Sequence, residues 1–168
     1  MDLSRFRFCP IASRFIDDVD GAQAYYAHKL VEPSDHLISV GSLDILVRFN
    51  PEEIHLFTET EPLDAQRRPR PLVRRPGASR EARYFSIDRA RRLDLILPTI
   101  RTPIQTLRAT MPGATLLIGP PDSSALRIGV VVGPDDGARV YFVRTAFDMT
   151  PKQFQAKLRA HRPAPWPK

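Results

Sequence analysis

The sequence predicts an α+β fold in which helices pack against an antiparallel β-sheet. Three β-rich segments, at 115–119, 126–133 and 138–147, follow one another in the last third of the chain and predict a β-meander. The GPDDG stretch between the last two is typical of a hairpin turn. Helical periodicity is found before and after this group. Strands that are grouped, rather than alternating with helices, favour the α+β class.

The first helix is predicted over residues 16–31. Apolar residues recur there at spacings of three and four, and aspartates in the first turn favour the positive end of a helix dipole. Apolar and polar residues then alternate over 42–50, which predicts a strand. Residues 54–60 are a candidate for the strand that returns beside it.

An exposed loop and a second helix are predicted in the middle of the chain. Residues 66–80 are rich in arginine and proline, which cannot build an apolar core, and we expect an extended, solvent-exposed segment. The helix follows over 86–100, where Ser86 has a side chain suited to the N-cap. Pro98 is expected to break or restart this helix.

The last helix has the clearest start. Thr150 is a candidate N-cap, Pro151 suits the first helical position, and Gln153 completes a capping box. Met149 and Phe154 have the spacing of a hydrophobic staple. The predicted order is therefore helix, two strands, linker, helix, three strands and helix.

The domain organisation and charge distribution suggest one globular domain that binds a polyanion. We expect a helical arm over 1–35, an α+β domain over 36–160 and a tail over 161–168. The formal net charge is +6, but it is unevenly spread. Residues 1–66 carry 5 basic and 12 acidic side chains, whereas residues 67–92 carry 10 and 2. A basic body is typical of proteins that bind polyanions.

Composition also argues against several classes of protein. Cys9 is the single cysteine, so no intrachain disulfide is possible. The histidines have no metal-ligand spacing, and we expect neither a metal nor a cofactor. No apolar run reaches the ~20 residues of a membrane span, and the first residues lack a signal-peptide core. We expect a cytoplasmic protein, or an effector exported without a cleavable signal peptide.

Two segments carry a resemblance to a known family. They are LDLILPTIRTPIQTL, at 93–107, and VYFVRTAFDMTPKQF, at 140–154, with the predicted meander between them. This pattern resembles the phage-associated nuclease-toxin domains grouped with barnase, EndoU, the tRNA-cleaving colicins and RelE. The resemblance covers roughly residues 36–160 and implies a barnase/RelE-like fold.

The family implies metal-independent RNA cleavage, in which the 2′-hydroxyl attacks the neighbouring phosphate. It also implies a bacterial toxin or effector held by an acidic immunity or antitoxin protein. Such chemistry needs a general base, a general acid and cations that stabilise the phosphorane. This chain departs from the family pattern because no histidine lies between residues 56 and 160. Whether the chain is an enzyme is therefore left open.

The resemblance and the residue chemistry together select seven candidate residues. The candidate catalytic residues are Arg89, Arg91, Arg92 and Thr145, and the candidate substrate-binding residues are Arg83, Arg144 and Lys152. Each also has an ordinary structural alternative, such as a solvated helix face for the arginines or a common strand residue for the threonine. The first hypothesis is an RNA-cleaving toxin. The alternatives are a non-catalytic nucleic-acid-binding domain and a protein-interaction domain on the same scaffold.

Overall fold

The structure is a computed structural model that describes residues 8–73, 81–134 and 139–167. In chain order its strands are β1 (His36–Val40), β2 (Leu43–Arg48), β3 (Thr58–Glu59), β4 (Leu72–Val73), β5 (Arg83–Phe85), β6 (Gln105–Arg108), β7 (Thr115–Pro121), β8 (Arg127–Pro134) and β9 (Val140–Met149). Its α-helices are α1 (Val19–Tyr25), α2 (Ile87–Ala90), α3 (Ile96–Arg101) and α4 (Pro151–Ala160).

The chain divides into two compact units. Unit 1 consists of Met1–Pro33 and Pro51–Asp94, and unit 2 consists of Ser34–Asn50 and Leu95–Lys168. This division follows contacts in space and interleaves the chain. The predicted arm over 1–35, domain over 36–160 and tail over 161–168 stay predictions.

Unit 1 begins with the predicted first helix. α1 starts at the N-cap Asp18, whose side chain accepts a hydrogen bond of 2.6 Å from the Gly21 N–H. The helix continues as a π-helical turn to Val31, and its buried face includes Tyr26, whose ring lies 5.6 Å from that of Phe57. The helix predicted over 16–31 is therefore confirmed at α1 and the π-helical turn.

The strands β3, β4 and β5 of unit 1 form a small sheet in the order β3–β5–β4. The prediction that residues 54–60 form a strand returning beside residues 42–50 is wrong. Ile54–Leu56 is a 3-10 turn, and Thr58–Glu59 pairs with β5. Part of the predicted exposed loop also forms β4, because Val73 is buried and Leu72–Val73 pairs with β5. Residues 74–80 of that loop lie outside the described residues.

The second predicted helix is interrupted, but not at its proline. Ser86 caps α2 as expected, and the helical turns restart at the 3-10 segment Leu93–Leu95 before α3. Pro98 is the third residue of α3, where a missing N–H costs no helical hydrogen bond. The break therefore falls near residues 91–92, and Pro98 lies in the first turn of the new helix.

Unit 2 is built on a six-stranded sheet in the order β1–β2–β9–β8–β7–β6. The pairs from β6 to β9 are all antiparallel, which confirms the predicted meander. However, β2 pairs with β9 in parallel, so the sheet is mixed and the prediction of an antiparallel sheet is wrong at this pair. The β1–β2 hairpin comes from much earlier in the chain. Local strand signals cannot reveal such long-range pairing.

Helices lie on both faces of this sheet. On one face α3 approaches β7 so closely that a Cβ at Gly119 would lie 3.0 Å from the Thr99 hydroxyl. On the other face α4 packs Phe154 and Leu158 against a buried cluster that includes Met149. The predicted capping box at the start of α4 is confirmed. The GPDDG turn falls mainly on residues 135–138, outside the described residues.

The structure thus confirms the α+β class, with a mixed sheet and few helices. Within residues 8–73, 81–134 and 139–167, no helix is long and apolar enough to cross a membrane.

Candidate nucleic-acid interface

A β-bulge in β9 determines the orientation of two candidate residues. Val131 of β8 pairs with Thr145, but the next residue, Val132, pairs with Val143. Arg144 is therefore the extra residue of a bulge. Val131 and Val132 face opposite sides of the sheet, so Thr145 and Val143 do so as well. Thr145 and Val143 therefore do not share a face, as residues two apart on an unbroken strand would.

The Arg144 guanidinium lies over a glycine. A Cβ placed at Gly133 would come within 2.7 Å of the Arg144 Nε, so the side chain crosses the sheet where Gly133 leaves room. Gly133 faces the same side as Val131, because residues two apart on a strand share a face. Arg144 also lies 5.7 Å from the centroid of the half-buried Phe142 ring. Arg144 and Thr145 are therefore neighbours on one face of the sheet.

Helix α4 adds cations to this face. The Lys157 ammonium lies 6.0 Å from the ring of Phe147, which is two residues beyond Thr145 on the same side of β9. Near the other end of the β8–β9 strand pair, the Arg127 guanidinium lies 4.4 Å from the Phe154 ring. Lys152 is exposed in the first turn of α4. We call the surface made by Arg127, Phe142, Arg144, Thr145 and Lys157 the bulge face, and we group the exposed Lys152 of α4 with it as a candidate phosphate ligand.

Most cations of unit 2 have no carboxylate partner. Arg48 pairs with Asp35, and hydrogen bonding from the Arg48 guanidinium lowers the pKa of Asp35. Among the described residues of the chain, no other arginine or lysine of unit 2 forms an ion pair. These unpaired cations are Arg101, Arg108, Arg127, Arg139, Arg144, Lys152, Lys157, Arg159 and Arg162. Unit 2 therefore presents positive charge that remains available to a polyanion.

Several arginines of unit 1, unlike these cations, form ion pairs with carboxylates. Glu59 accepts a hydrogen bond of 3.2 Å from the Arg89 Nε and lies 3.1 Å from the Arg70 Nη1. The Ser86 hydroxyl also donates to Glu59, at 3.1 Å. Arg89 donates further to the carbonyl of His55, at 3.0 Å. The Arg89 guanidinium is thus held inside the fold by groups of the same unit.

The other candidate arginines of unit 1 also have partners. Arg83 donates to both the hydroxyl and the carbonyl of Thr58, at 3.1 and 3.0 Å. Burial lowers the pKa of Arg83, and the nearby Arg89 lowers it further. Arg91 donates from Nε to the Ile16 carbonyl at 2.8 Å, although its side chain is largely exposed. Arg92 is half-buried and also has a partner.

The candidate residues therefore form two groups. Arg83 and Arg89 belong to a network of unit 1, whereas Arg144 and Thr145 lie side by side on the bulge face of unit 2. Sequence reasoning did not select Phe142, Gly133 or Lys157. A glycine at a strand position was a usable signal, since it often marks a place where another group approaches closely.

Unit 1 also contains a cavity of about 530 Å³, and five of its seven charged lining residues are acidic. Its carboxylates come from Asp17, Asp18, Asp20, Asp64 and Asp88. Asp64 accepts main-chain hydrogen bonds from Arg68 and Gln66 as well as the Arg68 side chain, and these bonds lower its pKa and keep it charged. The cavity is therefore unsuited to a phosphate ligand.

The histidines have local partners. The Nδ1 of His28 lies 3.0 Å from Glu32, and the Nε2 of His55 lies 3.5 Å from Glu53. His161 Nδ1 lies 2.9 Å from the carbonyl of Arg108. Throughout the part of the chain that the structure describes, no group of three or more histidine, cysteine or acidic side chains could hold a metal ion.

Comparison with models of protein families, with curated proteins and with solved structures found no match to this chain. The bulge face is therefore interpreted from its own geometry.

Proposed function

We propose that unit 2 binds single-stranded RNA through the bulge face, on a scaffold similar to barnase/RelE-like nuclease domains. The observation that carries the proposal is the group of unpaired cations around the Arg144 bulge. Arginine and lysine bind phosphates through charge-assisted hydrogen bonds, and unpaired side chains need not break an ion pair to do so.

The aromatic residue beside Arg144 favours a single strand over a duplex. Phe142 is half-buried and lies next to the guanidinium, so a planar apolar group and a planar cation are offered together. Bases of single-stranded nucleic acid stack on aromatic rings and on guanidinium planes. The phosphates of the same strand would be bound by Arg144, Lys152 and Lys157.

The test is the salt dependence of binding to a single-stranded RNA oligonucleotide, measured by fluorescence anisotropy between about 50 and 200 mM salt. Replacing Arg144, Lys152 and Lys157 together with glutamine should reduce the log–log slope by up to about 2, at ~0.7 per lost phosphate contact. The matched control replaces Arg14, Lys29 and Arg67, three exposed cations of unit 1, with glutamine. If both triple variants lose affinity equally, binding follows net charge and the bulge face is not the site.

RNA cleavage is the second candidate function, and the position of Thr145 favours it. The hydroxyl of Thr145 and the guanidinium of Arg144 project from adjacent residues on one face, which suits stabilisation of a charged phosphorane. If the protein is a ribonuclease of this type, it should act in EDTA and leave 2′,3′-cyclic phosphate ends. Thr145→Val should then lower the cleavage rate more than the affinity. RNA that is bound tightly and remains intact for hours would leave binding as the function.

A toxin of this kind would need an inhibitor, and the bulge face has the charge to bind an acidic immunity or antitoxin protein. Such a protein would compete with RNA for the same cations. Expression of the chain in bacteria, beside the Arg144, Lys152 and Lys157 variant, would test toxicity through growth and RNA integrity. Equal growth with both proteins would argue against the toxin proposal without affecting RNA binding.

A further inference from the structure

The six-stranded sheet of unit 2 has one covered edge and one open edge. At the covered edge, the Arg108 N–H donates to the Arg162 carbonyl at 2.8 Å, and the Ala164 N–H donates to the Thr106 carbonyl at 3.1 Å. Residues 162–164 therefore occupy the outer side of β6. At the other edge, none of the described residues pairs with the outer side of β1.

The turn between β1 and β2 determines which main-chain groups face outwards. Gly41 has a φ of 60°, which suits the first central residue of a two-residue hairpin turn. Val40 and Leu43 flank this turn as register partners and so exchange both main-chain hydrogen bonds. Because hydrogen-bonded pairs alternate along an antiparallel ladder, Leu37 and Ser39 direct their N–H and C=O groups away from β2.

β1 lacks the features that usually protect a free edge. Its sequence, HLISV, contains no proline, lysine or other charged residue apart from the titratable His36, and its pairing with β2 has no bulge. Leu37 is 67% exposed. Four unpaired main-chain groups beside an exposed leucine therefore form a template for another extended strand.

We propose that two copies of this chain pair through β1 in antiparallel orientation. If Leu37 of one copy pairs with the partner's Ser39, all four outward groups of each strand find partners, and Ile38 lies on the two-fold axis. A shift of register by one residue in either strand would leave outward groups unpaired. In the proposed register no two like charges face each other across the interface.

The covered edge explains why the assembly would stop at two copies. A sheet with two open edges could add strands without limit, whereas pairing β1 with itself uses the one edge of the six-stranded sheet that is open within the described residues. In such a dimer the same face of each sheet lies on the same side of the interface. Leu37 shares the side of Leu46 and Phe142, as the registers of β1, β2 and β9 require. If the proposed RNA binding holds, the two bulge faces would therefore lie on one continuous surface.

Sedimentation velocity of the intact chain without RNA tests the dimer separately from RNA binding. We expect a monomer–dimer equilibrium with half-association on the order of 100 μM, because a five-residue strand buries less than the ~1,000 Å² typical of stable interfaces. Leu37→Lys should weaken association at least about tenfold, since charge on an edge strand opposes pairing. A monomer at all concentrations up to about ten times that value would overturn the proposal.

Two further variants test whether the weaker association of Leu37→Lys is specific to β1. Ile104→Lys adds the same charge at a half-exposed position of unit 2 outside β1, and should leave the association unchanged. Ser39→Pro removes one outward N–H, which a free edge tolerates in the monomer, and should weaken the dimer. Loss of association in Ile104→Lys as well would show that added charge alone explains the Leu37→Lys result, and would overturn the assignment to β1.

The register is tested by disulfide trapping in a Cys9→Ser background. Residues that face each other as a hydrogen-bonded pair have Cα atoms about 5.5 Å apart, which is within the range of a disulfide. Mixing Leu37→Cys protein with Ser39→Cys protein should give a covalent heterodimer faster than either protein alone gives a homodimer. Faster homodimer formation by Leu37→Cys would overturn the proposed register.

Discussion

Unit 1 and unit 2 both contain many arginines, but the two units place them in different electrostatic environments. In unit 1, Arg70 and Arg89 share Glu59, and Arg68 pairs with Asp64. In unit 2, Arg127, Arg144 and Lys157 have aromatic rings beside them and no carboxylate partner among the described residues. These arginines of the first unit stabilise its fold, whereas the cations of the bulge face in the second unit are available for a ligand.

This difference shows that the local density of arginine does not locate a binding site. Residues 67–92 have the highest excess of basic side chains in the chain, and they supplied four of the seven candidate residues. Within the described part of that segment, however, most arginines are bound by groups of unit 1. An ion pair must be broken before its arginine can bind phosphate, and that cost lowers the affinity for RNA.

The largest expected effect concerns Glu59. Glu59→Gln removes the charge that Arg70 and Arg89 share while keeping the size of the side chain. The two guanidinium groups are mostly buried, at 14% and 24% side-chain exposure, so we expect unit 1 to lose about 2–3 kcal/mol of stability. Urea denaturation followed by circular dichroism would measure the loss, and RNA affinity of the folded protein should not fall.

The matched control is Glu61→Gln, the same change two residues later at an exposed side chain. Its stability should stay within about 0.5 kcal/mol of the unchanged protein. Equal destabilisation by both variants would show that Glu59 has no special role. A fall in RNA affinity for Glu59→Gln alone would move the binding site towards unit 1 and contradict the comparison.

The second effect is smaller and concerns unit 2. Gly133→Ala would place a Cβ 2.7 Å from the Arg144 Nε and force that flexible side chain to another position. We expect a loss of RNA affinity of about three- to tenfold, comparable to one charge-assisted hydrogen bond, with stability changed by less than about 1 kcal/mol. Anisotropy titration and thermal denaturation would measure the two quantities.

A double-mutant cycle shows whether Gly133→Ala lowers RNA affinity by displacing the Arg144 side chain. In an Arg144→Ala background, Gly133→Ala should have no further effect on affinity, because the side chain that it displaces is gone. Additive losses would mean that Gly133 contacts RNA itself or shapes the sheet in another way.

The sequence predicted what depends on neighbouring residues. The capping box at Thr150, the N-cap at Ser86 and the meander strands all rest on signals within a few positions, and the structure confirms them. The sequence did not predict the bulge at Arg144, since a bulge is a property of the register between two strands. It also missed the parallel pairing of β2 with β9, which joins residues about ninety positions apart.

The same limit applies to the candidate site. Arg89 had the residue type and helical position expected of a phosphate ligand, but its partner Glu59 lies thirty positions earlier. Periodicity cannot reveal a partner at that separation, whereas a contact in the folded chain does. Arg144 was selected by resemblance, and its position over Gly133 follows from strand pairing that no local pattern specifies.

The smallest expected effect is a difference in alkaline stability that involves Tyr25 of unit 1. Burial, together with the nearby Asp94 and Cys9, raises the pKa of Tyr25 to about 12. The unfolded chain ionises this phenol near its ordinary pKa of about 10. Stability from the buried neutral phenol is therefore complete below pH 10 and is lost as the pH rises through 12, with about 1 kcal/mol gone at pH 11.

Tyr25→Phe should remove this part of the loss of stability at alkaline pH. The matched control is Tyr84→Phe, at a half-buried tyrosine of the same unit. Urea midpoints at pH 9 and pH 11, measured by circular dichroism, would give the loss for each protein. Burial also raises the pKa of Tyr26, so some alkaline loss should persist in the Tyr25 variant. The single tryptophan, Trp166, lies against Tyr141 in unit 2, so tryptophan fluorescence reports on the unfolding of unit 2 rather than of unit 1. If Tyr25→Phe loses as much stability between the two pH values as the unchanged protein, the buried phenol of unit 1 is not the cause.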